Sequence, residues 1–455
     1  MHMAQRNGRH GRDEVRGRAG RIMAIVVTAV VALALALSAA AVAGARHRAR
    51  IEASASASAT SPSSTTPTQH QTAAANKDGT PAKDDATKDN AANKDDATKD
   101  GDANKDGKDD AVVRAQRIVD AMSPDERAAQ LVMAPLAAGT DPSALASLIG
   151  DDHVGSVILM GNWSNGVDGV RQATDALRGY AGDGTPILVA TDQEGGLVQH
   201  LQGPGFETMP SAFEQGRLST DALREDSRRW GGQLHAAGVD VDLAPSVDTV
   251  TIDRASNAPI GALDRDFGLD ADGDARHATA FIEGMRGAGV ATAVKHYPGL
   301  GSVTGNTDFT ADGIVDTTTD ADGPEVAAFT QAIRSGRPAM VMMSLASYTK
   351  LDPGVPAAFS RTIVTDLLRG RGGYDGVVIS DSLSASAVGD VDPTQLGVRL
   401  VEAGGDVACI NDPSYTAPIL SGLRARASSD AAFADKIAAS ATRVVAMKIR
   451  LGLIR

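Results

Sequence analysis

Lys295 and His296 close a short apolar run, Ala291–Val294, and open a glycine-bounded loop, Gly299–Gly305. A strand delivers side chains to its C-terminal end, and glycines beside it permit motion and close approach to a ligand. Other polar groups recur at the same kind of place. Asp192, Gln193 and Glu194 follow the run Pro186–Ala190, and Ser380 and Asp381 follow Gly376–Ile379. Three acidic or amide groups in a row are costly if buried without partners, so they form either a ligand site or a satisfied hydrogen-bond network. Asp381 is a carboxylate aimed past the end of its strand, and a helix N-cap is the plainer alternative. Asp308 is the one titratable side chain in the segment Gly299–Asp308. Fixed polar groups beside a mobile catalytic loop are how a barrel enzyme builds its site.

Eight apolar runs of strand length would supply those ends: 130–135, 155–160, 186–190, 239–244, 291–294, 339–344, 376–379 and 406–410. Segments between them, such as Pro210–Ala237, Asp274–Gly287 and Pro393–Ala403, suit helices. Repeated strand–helix alternation implies parallel strands, and closure into an α/β fold of the (β/α)8 TIM-barrel type is the natural solution. An open doubly wound sheet is the alternative, weakened because no Gly-x-Gly-x-x-Gly follows the first run. Aromatic content is only 3%, so small aliphatic side chains must fill the core. Cys409 is the sole cysteine and sits in the apolar run Val407–Ile410. An internal disulfide and a cysteine-built zinc site are therefore excluded, and a buried inert thiol is expected.

The segment Lys295-His296-Tyr297-Pro298-Gly299-Leu300-Gly301 resembles the signature of glycoside hydrolase family 3, in its single-domain beta-N-acetylhexosaminidase branch. In that branch the signature runs on to Asp-(Ser/Thr)-His, and here Asn306 and Asp308 stand at the Asp and His positions. Further segments resemble the family in chain order: Asp192-Gln193-Glu194-Gly195-Gly196, Ala244-Pro245-Ser246-Val247-Asp248, Arg265-Asp266-Phe267-Gly268 and Ser380-Asp381. The resemblance implies that Asp192, Lys295 and His296 bind sugar hydroxyls and that Arg265 donates to the sugar. An ion pair of Arg265 with Asp264 or Asp266 is the alternative. Met342 would touch the sugar or pack, and Asp248 would be structural. Trp163 would stack on a sugar or belong to the core. His200 stands where the family has Arg, so one substrate contact is altered. Asp381 would be the nucleophile of a retaining mechanism with a covalent glycosyl-enzyme. With the branch's His replaced, Asp308 is the expected general acid/base and Asn306 the group that orients it or the loop. A carboxylate there repels an anionic acceptor, which favours hydrolysis over phosphorolysis.

The stretch before this domain has a different character. Residues 1–21 are Arg-rich, and residues 22–45 are uncharged and apolar, as a signal peptide or transmembrane anchor would be. Residues 46–110 are Ser/Thr/Ala-rich and then Lys-Asp repeats without apolar periodicity, expected to be disordered linker. Within it Asp102–Gly107 matches half a calcium loop by chance, since Val113 stands where a bidentate Glu is needed. Residues 111–455 would form the barrel domain, held outside the cytoplasm. The net charge is −13 and the segments before residue 111 nearly cancel, so the globular part is acidic and nucleic acid is not an expected partner. The expected protein is a monomer that removes terminal beta-N-acetylglucosamine from cell-wall fragments or related glycans. It would need no metal or organic cofactor and would meet the membrane only through 22–45. A beta-glucosidase or beta-xylosidase, or a carbohydrate-binding relative with a degenerate acid/base site, are the alternatives. A second domain supplying the acid/base, as in many family members acting on glucosides, is not expected.

Overall fold

Alternation along each strand fixes the architecture. In β1 (Val132–Ala137) the side chains of Val132, Ala134 and Leu136 pack toward the outer helices while Met133 points into the interior layer. The same period of two places Ile158 of β2 (Ser156–Met160) and Leu188 and Ala190 of β3 (Leu188–Thr191) inside. β4 (Val241–Asp242), β5 (Ala291–Tyr297), β6 (Met340–Met343), β7 (Val377–Ser380) and β8 (Ala408–Cys409) follow. The computed structural model of the chain describes residues 103–455 except Asp183.

The eight strands are hydrogen-bonded in the order β7-β6-β5-β4-β3-β2-β1-β8, and every pairing is parallel. A bridge between Ile379 and Val407 joins the two ends, with the Ser380 N–H donating to the Val407 carbonyl at 3.0 Å. The fold is thus the (β/α)8 barrel and not an open doubly wound sheet. Helices Gly166–Tyr180, Thr220–Ala236, Ala271–Gly287, Pro324–Gly336, Thr362–Arg371, Pro393–Ala403 and Thr416–Ser429 return the chain between strands. All eight expected runs contain a strand, and helix Pro393–Ala403 has the expected bounds, set by Asp392 capping Thr394 and left-handed Gly404 ending it. The expected helix Pro210–Ala237 is interrupted. Ser219 caps a new helix by accepting from Ala222, and Gly216 lies so near the Phe267 carbonyl that a Cβ would stand 1.9 Å from it.

Residues 1–102, including the apolar run 22–45 and most of the expected linker, lie outside the described residues. Among the described residues no helix is long and apolar enough to cross a membrane. The first described element, helix Ala103–Ala121, spans the expected boundary at 111. Ala111, Ala115 and Val119, four residues apart, bury one stripe of it and carry its polar first turns along. Of the stretch Asp102–Gly107, the described residues, from Ala103 on, are helical.

The closing helix, Ala431–Arg450, seals the N-terminal end of the barrel. Its Val444 and Met447 join the interior layer with Met133, Leu188 and the buried, free Cys409, whose thiol burial pushes well up. Beside them Lys448 is fully buried, and its ammonium donates to Gln130 Oε1 at 2.8 Å. Burial pushes this group down to about 7, with Asp240 opposing. A lysine depressed in the folded state binds fewer protons than in the unfolded chain between the folded value and the ordinary 10.5. Its cost is therefore full below about pH 7 and shrinks as pH rises toward 10.5. Lys448→Met is expected to melt higher than the parent at pH 6, with the advantage narrowing by pH 9. Thermal melts that keep a constant gap across that range would refute the buried-cation account.

Candidate active site

Asp192, Arg265, Lys295, His296, Asp308 and Asp381 converge on the C-terminal end of the barrel. The core of the arrangement is Glu194, which the sequence offers only as the third member of a costly polar run. β3 ends at Thr191, and a tight hairpin of Gln193–Gly195 with Val198–Gln199 turns Glu194 inward. There its carboxylate takes two bonds from Arg265, Nε to Oε2 at 2.9 Å and Nη2 to Oε1 at 2.7 Å, and one from Lys295 Nζ at 2.6 Å. Lys295 also reaches Asp192 Oδ1 at 2.5 Å. Burial alone would raise Glu194, but the two cations prevail and hold it well below the usual carboxylate range. Burial likewise disfavours charge on Lys295, and Asp192 and Glu194 outweigh it, raising the ammonium above its ordinary value. The alternative partners of Arg265 are excluded, because Asp264 and Asp266 pair with Arg254 at 3.2 and 2.7 Å.

His296 is oriented from behind. Its Nδ1 lies 2.7 Å from Asp248 Oδ2, and the same carboxylate accepts the backbone N–H groups of His296 (3.2 Å) and Leu300 (2.7 Å). A carboxylate partner places a proton on Nδ1, and Nε2 lies 3.4 Å from Arg265 Nη2. Asp248 is fully buried, yet the His296 and N–H contacts outweigh desolvation and keep it lowered. Its structural role is thus specific: it sets the imidazole and the start of the loop.

The loop after β5 is less free than its glycines suggest. A Cβ on Gly301 would stand 1.7 Å from the Thr249 carbonyl, and one on Gly305 would stand 2.0 Å from that of Asp312. These glycines serve close backbone approach. The Asn257 amide holds the Leu300 and Val303 carbonyls at 2.8 Å each, and the Tyr348 hydroxyl donates to Gly299 at 2.7 Å. Beyond this anchored half, Asn306 Oδ1 accepts the Asp308 N–H at 3.0 Å, an Asx turn that orients Asp308. The Asp308 and Thr307 carbonyls then accept from Ser386 (3.2 Å) and Ala387 (3.0 Å), on the segment that follows Asp381.

Asp381 leaves β7 with its N–H on the Met343 carbonyl at 2.9 Å, and its carboxylate accepts the N–H of Ser382 at 2.8 Å. The N-cap alternative fails, since no helix starts at that residue. Asp308 is solvent-exposed on one side and crowded by the mouth on the other. Desolvation first, and the charge of Asp381 second, push its carboxyl up to about 6, against Arg265 and His296. Met342 is buried in the interior layer opposite Ile379, and His200 is half-buried, its backbone joined to Asp192 and Trp163. Trp163 is core, its Nε1–H on the Met160 carbonyl at 3.0 Å. Among the described residues no three His, Cys, Asp or Glu side chains gather to hold a metal ion.

Two carboxylates at one barrel mouth, beside fixed polar and charged side chains, suit the chemistry of a glycoside hydrolase. The family model for the glycosyl hydrolase family 3 N-terminal domain matches residues 123–447, and the chain belongs to that family. Beta-hexosaminidase of Alkalilimnicola ehrlichii is 31% identical over 304 residues, 64% of this chain and 84% of that protein. An uncharacterized secreted glycosyl hydrolase of Arthroderma benhamiae is 32% identical, over 62% of this chain and 80% of its own. Among solved structures, the beta-N-acetylhexosaminidase of Beutenbergia cavernae is 44% identical with a TM-score of 0.70, covering 72% of this chain and 98% of that one.

The buried pairs make one energetic demand. Glu194→Ala would leave Lys295 and Arg265 without their shared counter-charge, an expected loss of about 3–5 kcal/mol. Urea unfolding measures it, and a loss below about 1 kcal/mol, the range of an exposed pair, would mean the network is dispensable to the fold.

Proposed function

We propose that the chain is a retaining exo-glycosidase that hydrolyses terminal beta-N-acetylglucosamine, with Asp381 as nucleophile and Asp308 as general acid/base. The observation that carries the reading is the pairing of these two carboxyls. Asp308 is held by backbone bonds to the segment after Asp381, and the charge of Asp381 helps keep a proton on it. In the first step an Asp381 oxygen bonds the anomeric carbon as the glycosidic C–O bond breaks, and Asp308 gives its proton to the leaving oxygen. In the second, Asp308 takes a proton from water, which attacks the same carbon and frees Asp381.

The unused bonding capacity of the mouth suits a sugar. Lys295 Nζ spends two of its three N–H groups on Asp192 and Glu194. One donor remains, beside the second oxygen of Asp192 and the Nε2 of His296. Donors and acceptors side by side are what vicinal hydroxyls require. Specificity for the N-acetylated sugar rests on the hexosaminidases among the relatives. An extracytoplasmic location rests on the apolar run 22–45 and on the relative described as secreted.

Asp381→Ala is expected to abolish turnover of an aryl beta-N-acetylglucosaminide, and Asp308→Ala to lower it by about 10²–10⁴-fold, with azide restoring the latter. Turnover indifferent to Asp308 would place the acid/base elsewhere. Turnover confined to glucoside or xyloside analogues would replace the sugar assignment and keep the mechanism. The acid must be protonated, and the protonated fraction falls as pH rises through about 6. kcat/KM should therefore decline about tenfold per pH unit on the alkaline side. That limb should vanish in Asp308→Ala with a leaving group that needs no proton, and inorganic phosphate should not accelerate the reaction.

A further inference from the structure

Over most of the described surface, exposed arginines carry a carboxylate. Arg171, Arg229, Arg276, Arg361, Arg371 and Arg426 are exposed and paired, while Arg117, Arg217 and Arg399, exposed without a carboxylate among the described residues, lie on three separate segments. A chain of net charge −13 makes that the expected outcome. The N-terminal end of the barrel departs from it. A cleft of about 1440 Å³ opens there between the turns leading into β5, β6 and β7 and the closing helix Ala431–Arg450. Arg286, Arg334, Arg337, Arg443 and Arg450 line it, and Asp375 is the one carboxylate among the described lining residues. Arg334, Arg337 and Arg450 are exposed, and among the described residues none of them has a carboxylate within ion-pairing distance. Arg286 is held by the Gly336 carbonyl and Arg443 by Asp406 Oδ1 at 2.8 Å. Asp406 already serves Arg369 at 2.6 Å, so a single buried carboxylate answers two guanidiniums.

Five guanidiniums around one concavity repel one another, and an anion between them relieves that repulsion. The planar fork of Arg matches phosphate through paired N–H bonds. Several forks along a cleft suit a ligand that repeats its charge, more than a single small ion. The concave shape fits a chain and disfavours the flat face of a bilayer. We propose that this cleft binds a linear phosphate-bearing polymer, at the end of the barrel opposite the catalytic mouth. Binding there would hold the enzyme on an anionic matrix and leave the mouth free, whatever sugar the mouth takes.

The test uses the full chain and a labelled inorganic polyphosphate, read by fluorescence anisotropy across a salt series, with inorganic phosphate and phosphatidylglycerol vesicles as separate arms. Polyphosphate is expected to bind with an affinity that falls steeply with salt, with inorganic phosphate competing only at far higher concentration. The combined variant Arg334→Gln, Arg337→Gln, Arg450→Gln should weaken binding by about tenfold or more and flatten the salt slope. These side chains are exposed and unpaired, so melting temperature and glycosidase activity should stay at parent values. Unchanged affinity in that variant overturns the proposal. Binding to vesicles without binding to polyphosphate overturns it in favour of a membrane surface. Binding that emerges only after deletion of residues 76–100 overturns it in favour of the chain's own Asp-rich stretch as occupant.

Discussion

Two cations, Lys295 and Arg265, sit at the barrel mouth with little access to water, and both lean on Glu194. Moving a lone ammonium or guanidinium out of water costs several kcal/mol, so neither would stay charged and in place without that carboxylate. The constraint propagates outward. Glu194 must point inward, which requires the hairpin after β3, and that hairpin is pinned by Gln193, whose side chain brackets the backbone of Leu201 at 2.9 and 3.0 Å. Arg265 must arrive from a separate loop, steadied by the Pro259 carbonyl at 2.9 Å. The result is a row of alternating charge, Arg265–Glu194–Lys295–Asp192, in which each member fixes the next.

The parts of this that could be read from the chain are those that depend on local pattern. Eight apolar runs with polar groups at their ends define the barrel because strand period and strand-end position are one-dimensional properties. Asp381, Lys295, His296 and Asp192 stood out for that reason, and Arg265 only through its resemblance to a segment of the family. The role of Glu194 was not legible, because it depends on the two cations that a distant strand and a distant loop bring to it. The pairing of Asp248 with His296 was hidden likewise: 48 residues separate them. The glycines of the loop misled in one respect, since a glycine chosen for freedom and one chosen for close packing look alike in sequence. Only the Thr249 and Asp312 carbonyls lying against Gly301 and Gly305 tell them apart.

Helix Ala103–Ala121 shows the same limit from the other side. Its first turns are as polar as the linker, and composition places the boundary later. What fixes its later turns is tertiary. The helix packs along the closing helix, where the Thr442 hydroxyl donates to Gln116 at 3.2 Å, and Ala115 and Val119 are buried. Propensity and composition are weak priors wherever packing decides.

The proposed role of Asp308 gains a physical logic from its neighbour. In the proposed mechanism Asp308 must be an acid in one step and a base in the next. Before the reaction the Asp381 carboxylate, together with desolvation, raises Asp308, so the proton is present when the leaving oxygen needs it. Formation of the glycosyl-enzyme turns Asp381 into a neutral ester and removes that charge. Arg265 and His296, which already oppose the rise, then act on Asp308 against desolvation alone. Its proton affinity falls once its proton has gone to the leaving oxygen, so it stays a carboxylate, the form that can take a proton from water. A carboxyl placed beside the nucleophile is thus retuned by the reaction itself, and the backbone bonds from Ser386 and Ala387 to the Asp308 segment keep the two groups close enough for that coupling.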